Sequence, residues 1–324
     1  MSRIGSSDLD VYPLNLGGNT FGWTSDAAES FAVLDEFVSA GGNFIDTSDS
    51  YMASAPGNVG GESETILGEW FTKRGRRDDI VLATKVSRHP EFLGLAPDNI
   101  ARAAEASLRR LKTDHIDLYY AHYDDPDVPL ADTLGAFDAL VKAGKVRHVG
   151  ISNYSAERIQ EWIDVAEVNR FAKPVALQPH YSLVARQPFE DELRPLAEKF
   201  DLGVFPYWAL ASGFLTGKYR TAGDVAGVAR SKIVERYFNP EGLAVVDELD
   251  RIARSRGVQI ATVALAWTRQ QPTVVAPIVS ARSPEQLEAL LGSVDLTLTT
   301  DELARLDDVS VSYTHLTLPT TPYV

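Results

Sequence analysis

The stretch GGNFIDTSDSYMASAPGNVGGESETILGEW, residues 41–70, contains a short apolar run that stops on Asp46 and is followed by Tyr51. A second run, IVLATKV at 80–86, is interrupted by Lys85, and a third, HIDLYYAH at 115–122, closes on His122. Carboxyl, phenol, ammonium and imidazole are the groups that give and take protons at a reacting centre. Each also has a plainer role. Asp46 fits a cap in a Thr/Ser-rich turn, Tyr51 a half-buried loop aromatic, and His122 a hydrogen-bonded rim histidine. Lys85 is harder to set aside, because burying an isolated ammonium in an apolar strand is costly. A lysine that snorkels to solvent or forms a Schiff base satisfies the same pattern.

The elements that must position these residues follow from hydrophobic periodicity. Eight apolar, β-branched runs lie at 13–21, 43–48, 80–86, 115–122, 146–153, 174–181, 203–210 and 273–279. Segments of helical period separate them. AESFAVLDEFVSAGG ends on glycine, and LAPDNIARAAEASLRRL puts Pro97 at a first helical position with Ile100, Ala104, Leu108 and Leu111 on one stripe. SPEQLEALLG opens on a Ser283-x-x-Gln286 capping box and closes on Gly292, and a second box, Thr299-x-x-Glu302, opens the final helix. Strands apolar on both faces, each followed by a helix, predict a parallel (β/α)8 barrel forming one domain over 1–310, with extra helices near the C-terminus. Residues 1–12 would cover the barrel floor, and 219–240 read as a long internal loop. Barrel chemistry sits where strands end and βα loops begin. On that rim the strand ends present Asp46, Lys85, His122, Ser152, Asn153, Gln178 and Tyr207.

Composition narrows the partners. The 324 residues carry 31 Lys and Arg against 45 Asp and Glu, a net charge of −14, with no basic cluster to follow a phosphate backbone. A small-molecule partner is expected, not nucleic acid or membrane. The absence of cysteine excludes disulfides and thiolate chemistry, and no candidate metal site is read. No run approaches the length of a membrane span and no leader is evident, so a cytoplasmic protein is expected. No Gly-x-Gly-x-x-Gly fingerprint follows a first strand, which speaks against a Rossmann site.

Five ordered motifs resemble the aldo-keto reductases: NFIDTSDSY, VLATKV, DLYYAH, AGKVRHVGISNYS and LASGFLTGKY. The resemblance runs from about residue 4 to 310 and implies a catalytic tetrad of Asp46, Tyr51, Lys85 and His122. A phenol of ordinary pKa near 10 is a weak acid at neutral pH, so Lys85 is expected to favour its phenolate, with Asp46 holding the lysine and His122 polarising a substrate carbonyl. The implied cofactor is NADP. Thr20 and Asp46 would lie beside it, Ser152, Asn153 and Gln178 would meet its carboxamide, and Tyr207 would stack under its nicotinamide. Backbone amides of Leu210, Ala211 and Ser212, with Lys218, would meet the pyrophosphate, and Ser280, Arg282 and Gln286 the adenosine phosphate. The implied activity is NADPH-dependent reduction of aldehydes or ketones. The alternative is an NADP-binding regulatory subunit, since potassium-channel beta subunits resemble the same family, although they carry a different residue at the position of His122. Three departures stand out: Ala289-Leu290 in the adenosine segment, Trp208-Ala209 after the stacking aromatic, and the tail 311–324. That tail, VSYTHLTLPTTPYV, resembles a translated sequencing adapter and is expected to be non-native and poorly ordered, the plainer alternative being an ordinary family-variable C-terminal loop.

Overall fold

The computed structural model describes residues 1–225 and 231–314. Eight parallel strands form the barrel: β1 (Asn15–Gly17), β2 (Phe44–Asp46), β3 (Val81–Val86), β4 (Ile116–Ala121), β5 (Val146–Ser152), β6 (Pro174–Gln178), β7 (Gly203–Val204) and β8 (Ile278–Val279). Every one lies in a run read from the sequence. β8 pairs with β1 and the order continues without interruption to β7. The ring closes through Val204, whose N–H donates to Thr273 O at 3.0 Å and whose carbonyl accepts from Val275 N at 2.9 Å, with Ile278 N donating to Pro206 O at 2.9 Å. β7 and β8 are shorter than their apolar runs because Pro206 and Pro277 offer no N–H to a ladder.

β3 and β4 are buried at every residue, as expected of strands with the interior on one side and helices on the other. The helices that cover them include α1 (Ala27–Ser39), α2 (Glu62–Arg74) and α3 (Pro97–Leu111). α1 starts on a reciprocal box in which Asp26 Oδ1 accepts from Glu29 N and Glu29 Oε2 from Asp26 N, both at 2.9 Å. α3 starts on Pro97 and buries Ile100, Ala104, Leu108 and Leu111, the stripe read from the sequence.

The floor is closed by a hairpin of Ser2–Arg3 against Asp10–Val11. It drives Ile4, Leu9 and Val11 into an interior cluster with Phe44, Leu118 and Phe205. Gly5 makes the seat possible: at φ 43, a Cβ there would stand 2.2 Å from Asp201 O.

After β8 come the helices Pro284–Leu291 and Thr300–Thr314. The Thr299 box forms, with Glu302 N donating to Thr299 Oγ1 at 3.2 Å and Thr299 N to Glu302 Oε2 at 2.8 Å. The Ser283 box does not. Ser283 gives no side-chain cap, and Gln286 Oε1 instead accepts from Arg282 N at 3.1 Å, one residue too early for the reciprocal pattern. The stretch 219–240 is not one continuous loop, since it contains the four-residue helices Ala222–Val225 and Ser231–Val234. Residues 226–230, and 315–324 of the tail, lie outside the described residues, and the backbone is helical to Thr314. No helix among the described residues is long and apolar enough to cross a membrane.

Candidate active site

Register brings the strand-end residues to one level. Asp46 pairs with Ala83 across β2 and β3, Lys85 with Tyr120 across β3 and β4, and Gln178 with Ser152 across β6 and β5. His122 N donates to Val86 O at 2.9 Å, which prolongs the ladder by one step and sets the histidine above Lys85.

Lys85 and Asp46 are both fully buried, and Nζ donates to Asp46 Oδ2 at 2.5 Å, to Tyr51 Oη at 2.6 Å and to the Thr47 carbonyl at 2.8 Å. All three ammonium protons are therefore engaged. Tyr51 Oη in turn donates to Asp46 Oδ2 at 2.8 Å. The other carboxylate oxygen, Oδ1, accepts from Gln178 Nε2 at 3.0 Å. His122 lies edge-on to Tyr51, with ring centroids 6.3 Å apart.

The electrostatics differ from expectation at Tyr51. Burial, followed by the Asp46 carboxylate, pushes its phenol well above the ordinary range, so the lysine does not release the proton in this arrangement. Burial also lowers Lys85, against the opposing pull of Asp46, and burial with the Lys85 and Arg88 cations holds His122 well below the usual histidine range. At neutral pH the site thus pairs a protonated phenol with a neutral imidazole.

Tyr51 and His122 open into a cavity of about 920 Å³ that runs across the barrel mouth. Its walls include Thr20, Ser152, Asn153, Gln178 and Tyr207 near the phenol. Farther along come Leu210, Ser212 and Lys218 on one side, then Ser280, Arg282 and Gln286. Asp46 and Lys85 lie beneath the cavity, behind Tyr51. Trp208, Ala289 and Leu290, where the sequence departs from the family pattern, also line it. Ala211 does not: its side chain is buried in the core, and its amide donates to Trp208 O at 2.7 Å, so it offers nothing to the cavity.

Several lining groups are held by one another. Thr20 Oγ1 donates to Ala281 O at 3.3 Å, and Ser152 Oγ to Gln178 O at 2.9 Å. Asn153, at φ 58, gives Nδ2 to His122 O at 2.9 Å and receives Tyr207 OH on Oδ1 at 2.7 Å. His180, a residue the motifs did not single out, stacks on Tyr207 at 5.4 Å and 14°. Burial, with Arg236 adding to it, lowers His180 to about 4 from 6.5. The unfolded chain therefore takes up this proton first, and stability should fall as pH drops from 6.5 towards 4, by on the order of 3 kcal/mol from this group. Urea unfolding at successive pH values checks this; His180→Phe should flatten the acid limb, and an unchanged limb would refute the assignment.

Comparison with known proteins bears directly on this geometry. Residues 13–311 match the family model described as "Aldo/keto reductase family". The chain belongs to the aldo/keto reductase family. It is 34% identical to "Protein tas" of Escherichia coli K12, over 97% of this chain and 98% of that protein. It is 33% identical to "Uncharacterized oxidoreductase YrpG" of Bacillus subtilis, over 94% of each. It is also 32% identical to "Probable voltage-gated potassium channel subunit beta" of Oryza sativa, over 91% of this chain and 90% of that protein. Family membership makes the chain an oxidoreductase by descent.

Proposed function

We propose that this chain reduces aldehydes or ketones to alcohols using NADPH, with Tyr51 as proton donor. One observation carries the reading: Tyr51 Oη is bonded to both Lys85 Nζ, at 2.6 Å, and Asp46 Oδ2, at 2.8 Å, at the base of a cavity that His122 also lines. When bound, NADPH supplies the hydride. Tyr51 delivers the proton to the carbonyl oxygen as negative charge builds there, and the Lys85 ammonium stabilises the phenolate that remains. Asp46 keeps Lys85 charged and aimed. Neutral His122 orients the carbonyl by hydrogen bonding, in the manner of a fixed dipole.

The cavity suits an extended dinucleotide phosphate. Three of its lining groups, Ser212 Oγ, Asn19 Oδ1 and Thr24 Oγ1, are buried with no hydrogen-bond partner in the protein. Such groups are rare unless a ligand or water completes them. Ser212 sits at φ 56 and Gly213 at φ 93, a turn in which a Cβ on the glycine would press on Lys218 Nζ at 3.0 Å. Lys218 and Arg282 supply cations along the walls. Ser152, Asn153 and Gln178 would meet the carboxamide and the free face of Tyr207 the nicotinamide, while Leu210, Ser212 and Lys218 would hold the pyrophosphate. Ser280, Arg282 and Gln286 would take the adenosine phosphate.

The test is NADPH oxidation followed against a panel of aldehydes and ketones. Tight NADPH binding with no turnover on any of them would instead favour the regulatory reading, to which the similarity to proteins named as channel beta subunits lends weight. Cofactor choice gives a separate prediction. A guanidinium paired with a 2′-phosphate is worth about 1.5–3 kcal/mol, so Arg282→Ala should cost NADPH roughly 10- to 100-fold in Kd and leave NADH nearly unchanged. Equal Kd values for the two cofactors in the unmutated protein would refute the role of Arg282.

A further inference from the structure

Beside the tetrad lies a second polar chain that the proposed reaction does not use. Ser48 Oγ is 3.4 Å from His122 Nδ1, 3.4 Å from Asp49 Oδ1 and 3.1 Å from Ser50 Oγ, and it accepts from Ser50 N at 3.3 Å. Ser48 and Asp49 are both fully buried, and Asp49 Oδ2 has no hydrogen-bond partner.

We infer that Asp49 is a positioning residue: its neutral carboxyl donates to Ser48 Oγ, Ser48 donates to His122 Nδ1, and the imidazole is thereby held with its proton on Nε2, facing the substrate carbonyl. The inference rests on the reading of His122 as the group that faces that carbonyl. An imidazole with a hydrogen bond to one nitrogen has its tautomer set by the direction of that bond. If Asp49 were ionised it would draw the Ser48 hydroxyl proton, and Ser48 could then only accept from His122 Nδ1–H. Nε2 would be left as a bare acceptor, unable to bond a carbonyl oxygen. With Asp49 neutral, Ser48 Oγ accepts from Asp49 O–H and Ser50 N–H, and its own proton goes to Nδ1. Placing the acid proton on Oδ1 uses it, and leaves only a carbonyl-type Oδ2 unpaired, the less costly orphan.

The surroundings favour the neutral acid. Burial, reinforced by Glu64 and opposed by Arg110, pushes Asp49 well above the usual carboxylate range. Glu64 is itself buried and holds the cation: Arg110 Nε donates to Glu64 Oε2 at 2.7 Å, and Thr84 Oγ1 to Oε1 at 2.6 Å. The other titratable neighbours that feel Asp49 are Lys85 from β3, whose ammonium is committed to Asp46, and Tyr119 from β4. The distances of 3.4 Å are long for a hydroxyl bond, in keeping with catalytic bonds that tighten when substrate binds.

The experiment uses the full chain with saturating NADPH. Nitrogen-15 NMR on labelled histidine should show His122 with Nε2 protonated and Nδ1 bare, and Ser48→Ala should turn this into a mixture of tautomers. In turnover, Ser48→Ala and Asp49→Ala should each lower kcat by about tenfold with the Kd for NADPH unchanged, as for a lost orientation of a neutral donor. Asp49→Asn, which keeps an N–H donor towards Ser48, should recover most of the loss relative to Asp49→Ala. Finding His122 protonated on Nδ1 in the unmutated protein, or Asp49→Asn as impaired as Asp49→Ala, would overturn the inference. The NMR result stands whether or not a carbonyl is reduced, so failure of the tautomer assignment and failure of the proposed reaction are separable.

Discussion

Tyr51→Phe is expected to lower kcat by about 10²–10⁴-fold, the range typical of a lost general acid, while the Kd for NADPH stays within about twofold. The substitution removes one oxygen and leaves the rest of the site in place. Asp46 Oδ2 keeps Lys85 Nζ at 2.5 Å, Asp46 Oδ1 keeps Gln178 Nε2 at 3.0 Å, and the partly buried ring retains its wall position. The fold should survive, so the loss reads chemistry directly. Because burial and Asp46 hold the Tyr51 phenol well above its ordinary range, the unmutated enzyme should also show no loss of activity from Tyr51 ionisation up to about pH 9. Steady-state kinetics with NADPH titrated by fluorescence separates the two quantities. A variant that keeps most of its turnover would remove Tyr51 from the proton-donor role and move the search to His122.

The parts of this architecture that were legible in the sequence are those written in short-range pattern. Eight continuous apolar runs are what strands buried on two faces require, and the titratable residues that break those runs, Asp46, Lys85 and His122, stand at rim positions because only there can their polarity be met. Parts that depend on contact across the barrel were not legible. Gln178 reaches Asp46 over 132 positions of chain, a contact set by the register of β6 that no local signal encodes. The same holds for His180 behind Tyr207, and for Arg110, which neutralises Glu64 from a helix 46 positions away. The sign of the Tyr51 shift is hidden from the sequence for a related reason. A lysine and an aspartate are both legible at the site, but the leading cause of the shift is burial, which raises the phenol in the same direction as Asp46 and which only the folded depth of Tyr51 reveals. Even where the pattern is local, competition misleads it. The Ser-x-x-Gln signature at 283–286 predicts a box, yet the glutamine carbonyl finds the Arg282 amide instead.

Lys85→Met tests the other half of the site, and its largest effect should be on stability. Methionine nearly preserves the volume of the chain but removes an ammonium that meets Asp46, Tyr51 and Thr47 in a fully dry position. Breaking a buried ion pair by removing one partner costs about 3–5 kcal/mol, because the remaining charge has lost its counter-ion while still desolvated. Here Asp46 keeps two donors, the Tyr51 hydroxyl and the Gln178 amide, so the lower end of that range is expected. Asp46→Asn should destabilise by a similar amount, for it strands the lysine instead. The double variant carries neither charge. The amide that replaces the carboxylate has nothing ionic to hold, and the thioether that replaces the ammonium packs as an apolar side chain. Stability should therefore return to within about 1–2 kcal/mol of the unmutated protein, as when buried pairs are replaced together. Activity should not return in any of the three, since the phenolate formed on proton transfer would have no cation beside it. Urea unfolding of the four proteins closes the cycle. If Lys85→Met proves as stable as the parent, or the double variant no more stable than either single, then the pair is not the buried, mutually dependent charge couple that its geometry describes.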